Sequence, residues 1–454
     1  MIPLRAVATW MLLCGACRAD TDALPTESSV AAPAPEHATV ACPSASIPSV
    51  RAPGTEDRHR DPATWLASAT STVLVPAERI PELNARFGDR PGGWRDIGSR
   101  EVGSPETVQA EVDDRLRYLE GMVARGAFVE GEPGSLVAAR TLAAKATPVD
   151  HQRLLLEEAQ LWCVPLATGL YKPPVDRDFD RNACSTLHPA ERVRVLRRDP
   201  SGAWLHVHAG HTVGWLHDAK LGPRLDRAQL DVFDSSPPLV PLRDDVTTTD
   251  GFPLRLGITV PILGKTAEGW RVLVPSTDGT REAIVAATAD VSEGHPPLQR
   301  DLLLQVAFSE IGRPYGWGGQ GGERDCSQYL RDLFATFGVQ LARHSSVQAE
   351  LGTHNVDLDG KTEAEKRDLI AQWHARGVVL LYMPGHIMLY LGREGGQDWA
   401  LSSVSEYLEP CEGGPDTVYR LDRVEVTTLE LGRGTERTAF IERISRLVVF
   451  APDP

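Results

Sequence analysis

The sequence predicts an α+β multidomain chain. A helical segment and two small β-barrels precede a larger domain of helices followed by antiparallel strands. Three observations carry this prediction. The chain has 454 residues, more than one core holds. A unit of short strand, turn and Trp-bearing strand occurs twice in the middle. After Gln299 the apolar spacing turns helical and then alternates as strands do.

Taken in order, the chain opens MIPLRAVATWMLLCGACRAD, with one Arg, an apolar run from Ala6 to Leu13, and Cys14-Gly15-Ala16-Cys17. A basic start, an apolar run too short to span a membrane and small residues at its end make 1–17 a secretory signal. The small residues before Cys17 resemble the lipobox of bacterial lipoproteins, in which that cysteine is lipidated. Plain cleavage and secretion is the alternative. Both place the mature chain outside the cytoplasm, and lipidation adds a membrane as partner. Residues 18–62 are rich in Ala, Pro, Ser and Thr and nearly free of aromatics, so a disordered tether is expected.

Residues 63–155 read as a helical N-terminal domain, clearest where Val108, Val112, Leu116, Leu119 and Val123 recur at helical spacing. Next, Val193-Arg194-Val195-Leu196 leads through the turn Asp199-Pro200-Ser201-Gly202 to Trp204-Leu205-His206-Val207, and Gly214-Trp215-Leu216 closes the unit. Val260-Pro261-Ile262-Leu263 and Gly269-Trp270-Arg271-Val272 repeat the scheme. Two SH3-like barrels are expected over 156–222 and 223–292. In 293–454, Leu302, Leu303, Val306, Ala307 and Ile311 form a helical stripe ended by Gly312 and Pro314. The strands GVVLLY, HIMLYLG and DWALS follow.

With 47 Lys and Arg against 62 Asp and Glu, the net charge of −15 disfavours nucleic acid as a partner. Of seven cysteines, Cys14 leaves with the signal and Cys17 is the lipidation candidate. Cys163 and Cys184 enclose a short stretch and are the disulfide candidate. An odd thiol remains in an oxidising compartment, which points to a reactive one.

In RDCSQYLRDLFATFG, Leu330, Leu333, Phe334 and Phe337 share a helical face, Asp325 can cap the start, and Gly338 ends the helix. Cys326 then sits in the first turn, where the helix dipole favours a thiolate. A buried inert cysteine is the competing reading of that position. His386 weighs for reactivity. It opens a strand after a Pro-Gly turn, and Cys with His makes a nucleophile and its base. A free thiol is about 3% ionised at pH 7, so pairing with imidazole is expected to leave Cys326 largely ionised.

YGWGG and RDCS, then the Phe337–Gln348 stretch with L-x-R-x-S-x-x-Q, then GHIMLYLG resemble the NlpC-type peptidases, papain-like cysteine hydrolases of bacterial cell walls. The Asp176–Arg181 stretch DRDFDR and the closing LELG and ERI resemble the subgroup with a helical N-terminal domain and two bacterial SH3 domains. The resemblance implies a papain-like catalytic domain over 293–454. It also implies a peptidoglycan hydrolase acting on stem peptides at the γ-D-glutamyl–diamino acid bond through a thioacyl intermediate. Cys326 is then the nucleophile and His386 the base. Tyr315, Asp325, Arg343 and Ser345 bind substrate, with the Arg343–Ser345 stretch at the peptide's free amine and the first barrel walling the site. Two departures are visible. The family's usual orienting His falls near Ser402, which can accept the Nδ1 hydrogen of His386, with Ser403 and Glu406 as alternatives. His344 stands where relatives often have Asp or Asn. The rival reading is a peptidoglycan-binding SH3 protein with a weakened or inactive site, and acyl transfer on the same fold is a third.

No residue set calls for a cofactor. Asp176, Asp178 and Asp180 alternate as in a calcium loop but lack its glycine and terminal acid, so a structural loop is expected. His206, His208 and His211 are read as a solvated hairpin face rather than a zinc site. GWGGQGG has no following Lys-Ser/Thr, so it is read as backbone that lets substrate approach Cys326, not as a phosphate loop.

Overall fold

The computed structural model describes residues 42–67, 71–166 and 168–452. The signal, Cys17 and the tether up to residue 41 lie outside the described residues. Among the described residues no helix is long and apolar enough to cross a membrane.

The C-terminal domain is built on a seven-stranded sheet. In spatial order its strands are Ile47–Pro48, Thr417–Thr428, Gln397–Glu409, His386–Glu394, Val378–Met383, Arg446–Phe450 and His354–Asp357. Only the first pair is parallel. Alternation along His386–Glu394 buries both faces. Ile387, Leu389 and Leu391 join Phe334, Phe337 and Phe450 in one core, while Met388 and Tyr390 join Ile370 and Phe440 in the other. Helix Cys326–Ala335 covers the first face. Asp325 caps it by accepting the Gln328 N–H at 2.9 Å, and Leu330, Leu333 and Phe334 are fully buried.

Two smaller antiparallel sheets each close over their own core. The six-stranded one orders Thr147–Leu154, Arg192–Arg198, Trp204–His208, Val213–His217, Ala159–Trp162 and Ala183–Leu187 around Leu161, Val193, Val207 and Leu216. The five-stranded one orders Gly279–Ala286, Gly269–Ser276, Val260–Lys265, Pro238–Pro241 and Val291–Glu293 around Leu239, Val260, Val272 and Val285. Strand Thr147–Leu154 starts ahead of the expected boundary at 156 and takes the end of the segment read as helical. It is a half-exposed edge strand with no apolar alternation to reveal it.

The helices Pro62–Leu66, Ile80–Gly88, Pro105–Ala124 and Ser135–Lys145 fill the N-terminal part. Val108, Val112, Leu116 and Leu119 are buried as their spacing requires, the last three in a core shared with Trp204 and Trp215 of the six-stranded sheet.

The expected tether stops short of residue 62. From Cys42 onward the chain is fixed by the disulfide Cys42–Cys411, by Ile47–Pro48 pairing beside Thr417–Thr428, and by the His59 ring stacked on Trp399 at 3.9 Å. Composition misleads here because edge pairing uses backbone groups, and the cysteine partner lies 369 residues away.

Candidate active site

Cys326 opens its helix, is 7% exposed, and is the one free cysteine among the described residues, since Cys163–Cys184 and Cys42–Cys411 are both closed. The Ser327 and Ile387 backbone N–H groups favour its thiolate form. Ile387 shares a core with Cys326, so the start of strand His386–Glu394 packs against the Cys326 helix. Gly385, at φ 86°, makes the reversal that pairs Met383 with His386, a conformation that favours glycine.

His386 Nε2 lies 3.1 Å from Ser402 Oγ. The ring is therefore turned opposite to expectation. Nε2, not Nδ1, meets the serine. Of the three alternatives only Ser402 reaches the imidazole. Ser403 Oγ donates to the Arg324 carbonyl at 2.7 Å, and Glu406 holds Arg437 at 2.7 Å and Arg420 at 3.4 Å.

Burial, then the Asp325 carboxylate, pushes the Cys326 thiol up to about 12. Burial, then Arg443, pushes His386 down to about 4. Both shifts oppose a thiolate–imidazolium pair, against the direction expected from the position of Cys326 on its helix. Desolvation outweighs the helix dipole here.

Asp325 and Arg343 are turned to each other. Arg343 Nη2 and Nη1 donate to the two Asp325 oxygens at 2.6 and 3.0 Å, Nη1 also reaches Ser327 Oγ at 2.9 Å, and Nε reaches Ser185 Oγ of the first barrel at 3.0 Å. Arg343 is 3% exposed and carries the same charge as an ammonium, so the structure makes it a support for Asp325 rather than an amine ligand. Ser345 is half-buried at the start of helix Ser345–Gln348, and His344 beside it is exposed. Tyr315 and His386 line one cleft of about 150 Å³ with Trp317, Glu406, Phe440 and Arg443.

The six-stranded sheet packs against the Gly-rich stretch that precedes Cys326. A Cβ on Gly318 would lie 2.2 Å from the Ala183 carbonyl oxygen, and one on Gly319 would lie 2.1 Å from the Thr186 nitrogen. These glycines admit the barrel, not the substrate as expected. Phe179 packs edge-on to Trp317 at 5.5 Å, the Arg181 guanidinium sits 4.1 Å over Trp317, and Asp176 pairs with Arg420. Asp180 is buried and accepts the Leu170 and Asn182 N–H groups at 2.9 and 2.8 Å. The described residues contain no group of three His, Cys, Asp or Glu able to hold a metal. The expected solvated histidine face is buried instead, with His206 against Trp215 at 5.2 Å and His211 Nδ1 accepting from Arg331 at 2.9 Å.

Sequence reasoning missed the polar face of the Cys326 helix. Gln328, Arg331 and Asp332 are buried, and Gln328 donates to the Thr186 carbonyl at 3.1 Å. Arg324, next to Asp325, is buried among Asp244 in the turn after strand Pro238–Pro241, Glu310 and Asp332. Opposite charges at Arg331 and Asp332 in one short helix were the visible signal.

Residues 312–407 match the NlpC/P60 family, and residues 170–217 match the SH3 domain of the SH3b1 type. The peptidoglycan endopeptidase RipB of Mycobacterium tuberculosis is 31% identical over 109 residues, which cover 20% of this chain and 39% of the relative. An NlpC/P60 endopeptidase structure from Photobacterium damselae subsp. piscicida superposes with a TM-score of 0.69 at 14% identity, covering 90% of this chain and 100% of its own. At that identity the likeness shows a shared fold.

Proposed function

With an NlpC/P60 domain and an SH3 domain as its parts, we propose that the chain is a cysteine endopeptidase of peptidoglycan stem peptides, cleaving the γ-D-glutamyl–diamino acid bond. One observation supports this most. Cys326 opens its helix and shares a core with Ile387, the residue after His386, and His386 engages Ser402 at 3.1 Å.

In this reading His386 Nδ1 takes the thiol proton as sulfur attacks the carbonyl carbon, and the N–H groups at the helix start stabilise the oxyanion. The imidazolium then protonates the leaving amine and a thioester remains. Water, deprotonated by His386, releases the acid. Tyr315 lines the acyl side, with Asp325 and Ser345 near the peptide's free amine. The five-stranded sheet is read as a second SH3 barrel, the C-terminal domain as papain-like, and Cys17 as the lipid anchor of an extracytoplasmic protein.

A binding protein without turnover is the second reading, favoured by Ser402, which offers the His386 ring a hydroxyl and no charge. Digestion of defined muropeptides with mass analysis decides. The proposal expects cleavage that releases a fragment with a new diamino-acid amine, and Cys326→Ser to abolish it. Sedimentation with purified sacculi but no product from either protein would establish the binding reading.

A further inference from the structure

Beyond His386 the cleft ends on two arginines that the reaction described above does not use. Arg443 Nε and Nη2 lie 3.3 and 3.1 Å from the sulfur of Met383, the residue paired across the strands with His386, and Nη1 donates to the Arg437 carbonyl at 3.2 Å. Its guanidinium is 5.5 Å from the centroid of Phe440, and the same ring is 5.7 Å from the His386 ring. Among the described residues Arg443 forms no ion pair; the one charged group that shifts its pKa is Arg437, itself paired with Glu406 at 2.7 Å. A half-buried guanidinium thus faces the cleft with only a thioether and a carbonyl as partners.

We propose that Arg443 is a subsite for a carboxylate on the leaving residue of the substrate peptide. This rests on the endopeptidase reading. The leaving nitrogen must receive its proton from His386, so the leaving residue lies against that ring, and the wall beyond the ring is Phe440 and Arg443. The planar fork of an arginine matches a carboxylate and binds it through two charge-assisted hydrogen bonds. There is a catalytic consequence. After burial, Arg443 is the main influence keeping His386 a weak base. A carboxylate seated on Arg443 cancels that field, so the base strengthens when the correct leaving residue is in place.

The test uses the full chain and two tripeptides, L-Ala–γ-D-Glu–diamino acid with the leaving residue's carboxyl groups free or amidated. The parent should cleave the acid with kcat/KM about tenfold or more above the amide. Arg443→Met should bring the two substrates within twofold of each other, with Arg443→Lys intermediate. The acid limb of the parent's pH profile should lie at higher pH with the acid than with the amide. Equal parental rates on both peptides would overturn the subsite and leave the endopeptidase reading intact. If the parent cleaves neither, that reading falls, and calorimetry of both peptides on Cys326→Ser tests the subsite alone. Tighter binding of the acid supports it, and equal affinity overturns it. The parental comparison needs no variant, so it holds even if Arg443→Met does not fold.

Discussion

His188 Nε2 lies 3.0 Å from Asp332 Oδ2 while its Nδ1 lies 2.9 Å from Glu158 Oε1, so a first-barrel imidazole bridges to the helix that carries Cys326. Both nitrogens face carboxylates, so both carry protons. Burial alone would discharge the ring; Asp332 and Glu158 overcome it, against Arg324, and raise His188 to about 9.

The sign of the resulting pH dependence is fixed. A histidine raised from 6.5 to about 9 contributes stability that is complete below 6.5 and lost as pH rises through 9. Thermal unfolding of the parent should weaken across that window by an amount on the order of 2–3 kcal/mol. Glu310, raised to about 7 by burial and Asp244, titrates lower and does not mask it. His188→Gln should be less stable at pH 6 and show a flatter decline. An unchanged slope in that variant would remove His188 from the linkage.

Cys326 should react slowly with iodoacetamide at pH 7, and its rate should still be rising at pH 9, because the thiol is pushed up to about 12. Cys326→Ser should lose hydrolysis while its Tm stays close to the parent's. Fast labelling at neutral pH would show that the imidazole ionises the thiol in the resting protein.

Ser402→Ala should lower kcat about tenfold with little change in KM, since the ring loses an orienting partner but keeps its position. Ser403→Ala should instead lower stability, because that hydroxyl serves the Arg324 carbonyl. Ser402→His, which the family pattern suggests, enters a site with no exposure and should cost about 1–3 kcal/mol by overpacking. A Ser402→Ala variant as fast as the parent would mean that His386 is oriented by something else.

Replacing both Cys42 and Cys411 by serine frees a loop closed over 369 residues of sequence. Chain entropy sets an upper limit of about 6 kcal/mol on the loss. Limited proteolysis should then cut near Ile47–Pro48 before the rest of the domain, while the muropeptide kcat stays near parental. A cleavage pattern like the parent's would show that strand pairing alone holds the segment.

The elements that bury one face were legible from sequence. Leu330, Leu333, Phe334 and Phe337 recur at helical spacing, and the Trp-bearing strands repeat at equivalent places in both small sheets. What was hidden depends on contacts between distant segments. Gln328, Arg331 and Asp332 are buried, and no local signal in the sequence says that another segment lies over them. The direction of the His386 ring was equally hidden, since which nitrogen meets Ser402 depends on side-chain rotation at the strand end. The resting charge state failed for a third reason: helix position is local, whereas desolvation sums over everything packed around the thiol.

The contact of Gly318 and Gly319 with strand Ala183–Leu187 limits how this catalytic unit can be reused. Its fragment from Gln299 onward would leave the Gly318 carbonyl without the Gln160 amide that reaches it at 2.9 Å, and Arg343 without Ser185. Fusing that fragment to a foreign targeting module would therefore transplant a domain stripped of those hydrogen bonds. Gene fusions that keep activity should carry the six-stranded barrel along, and recombination points should be tolerated ahead of that barrel sooner than behind it.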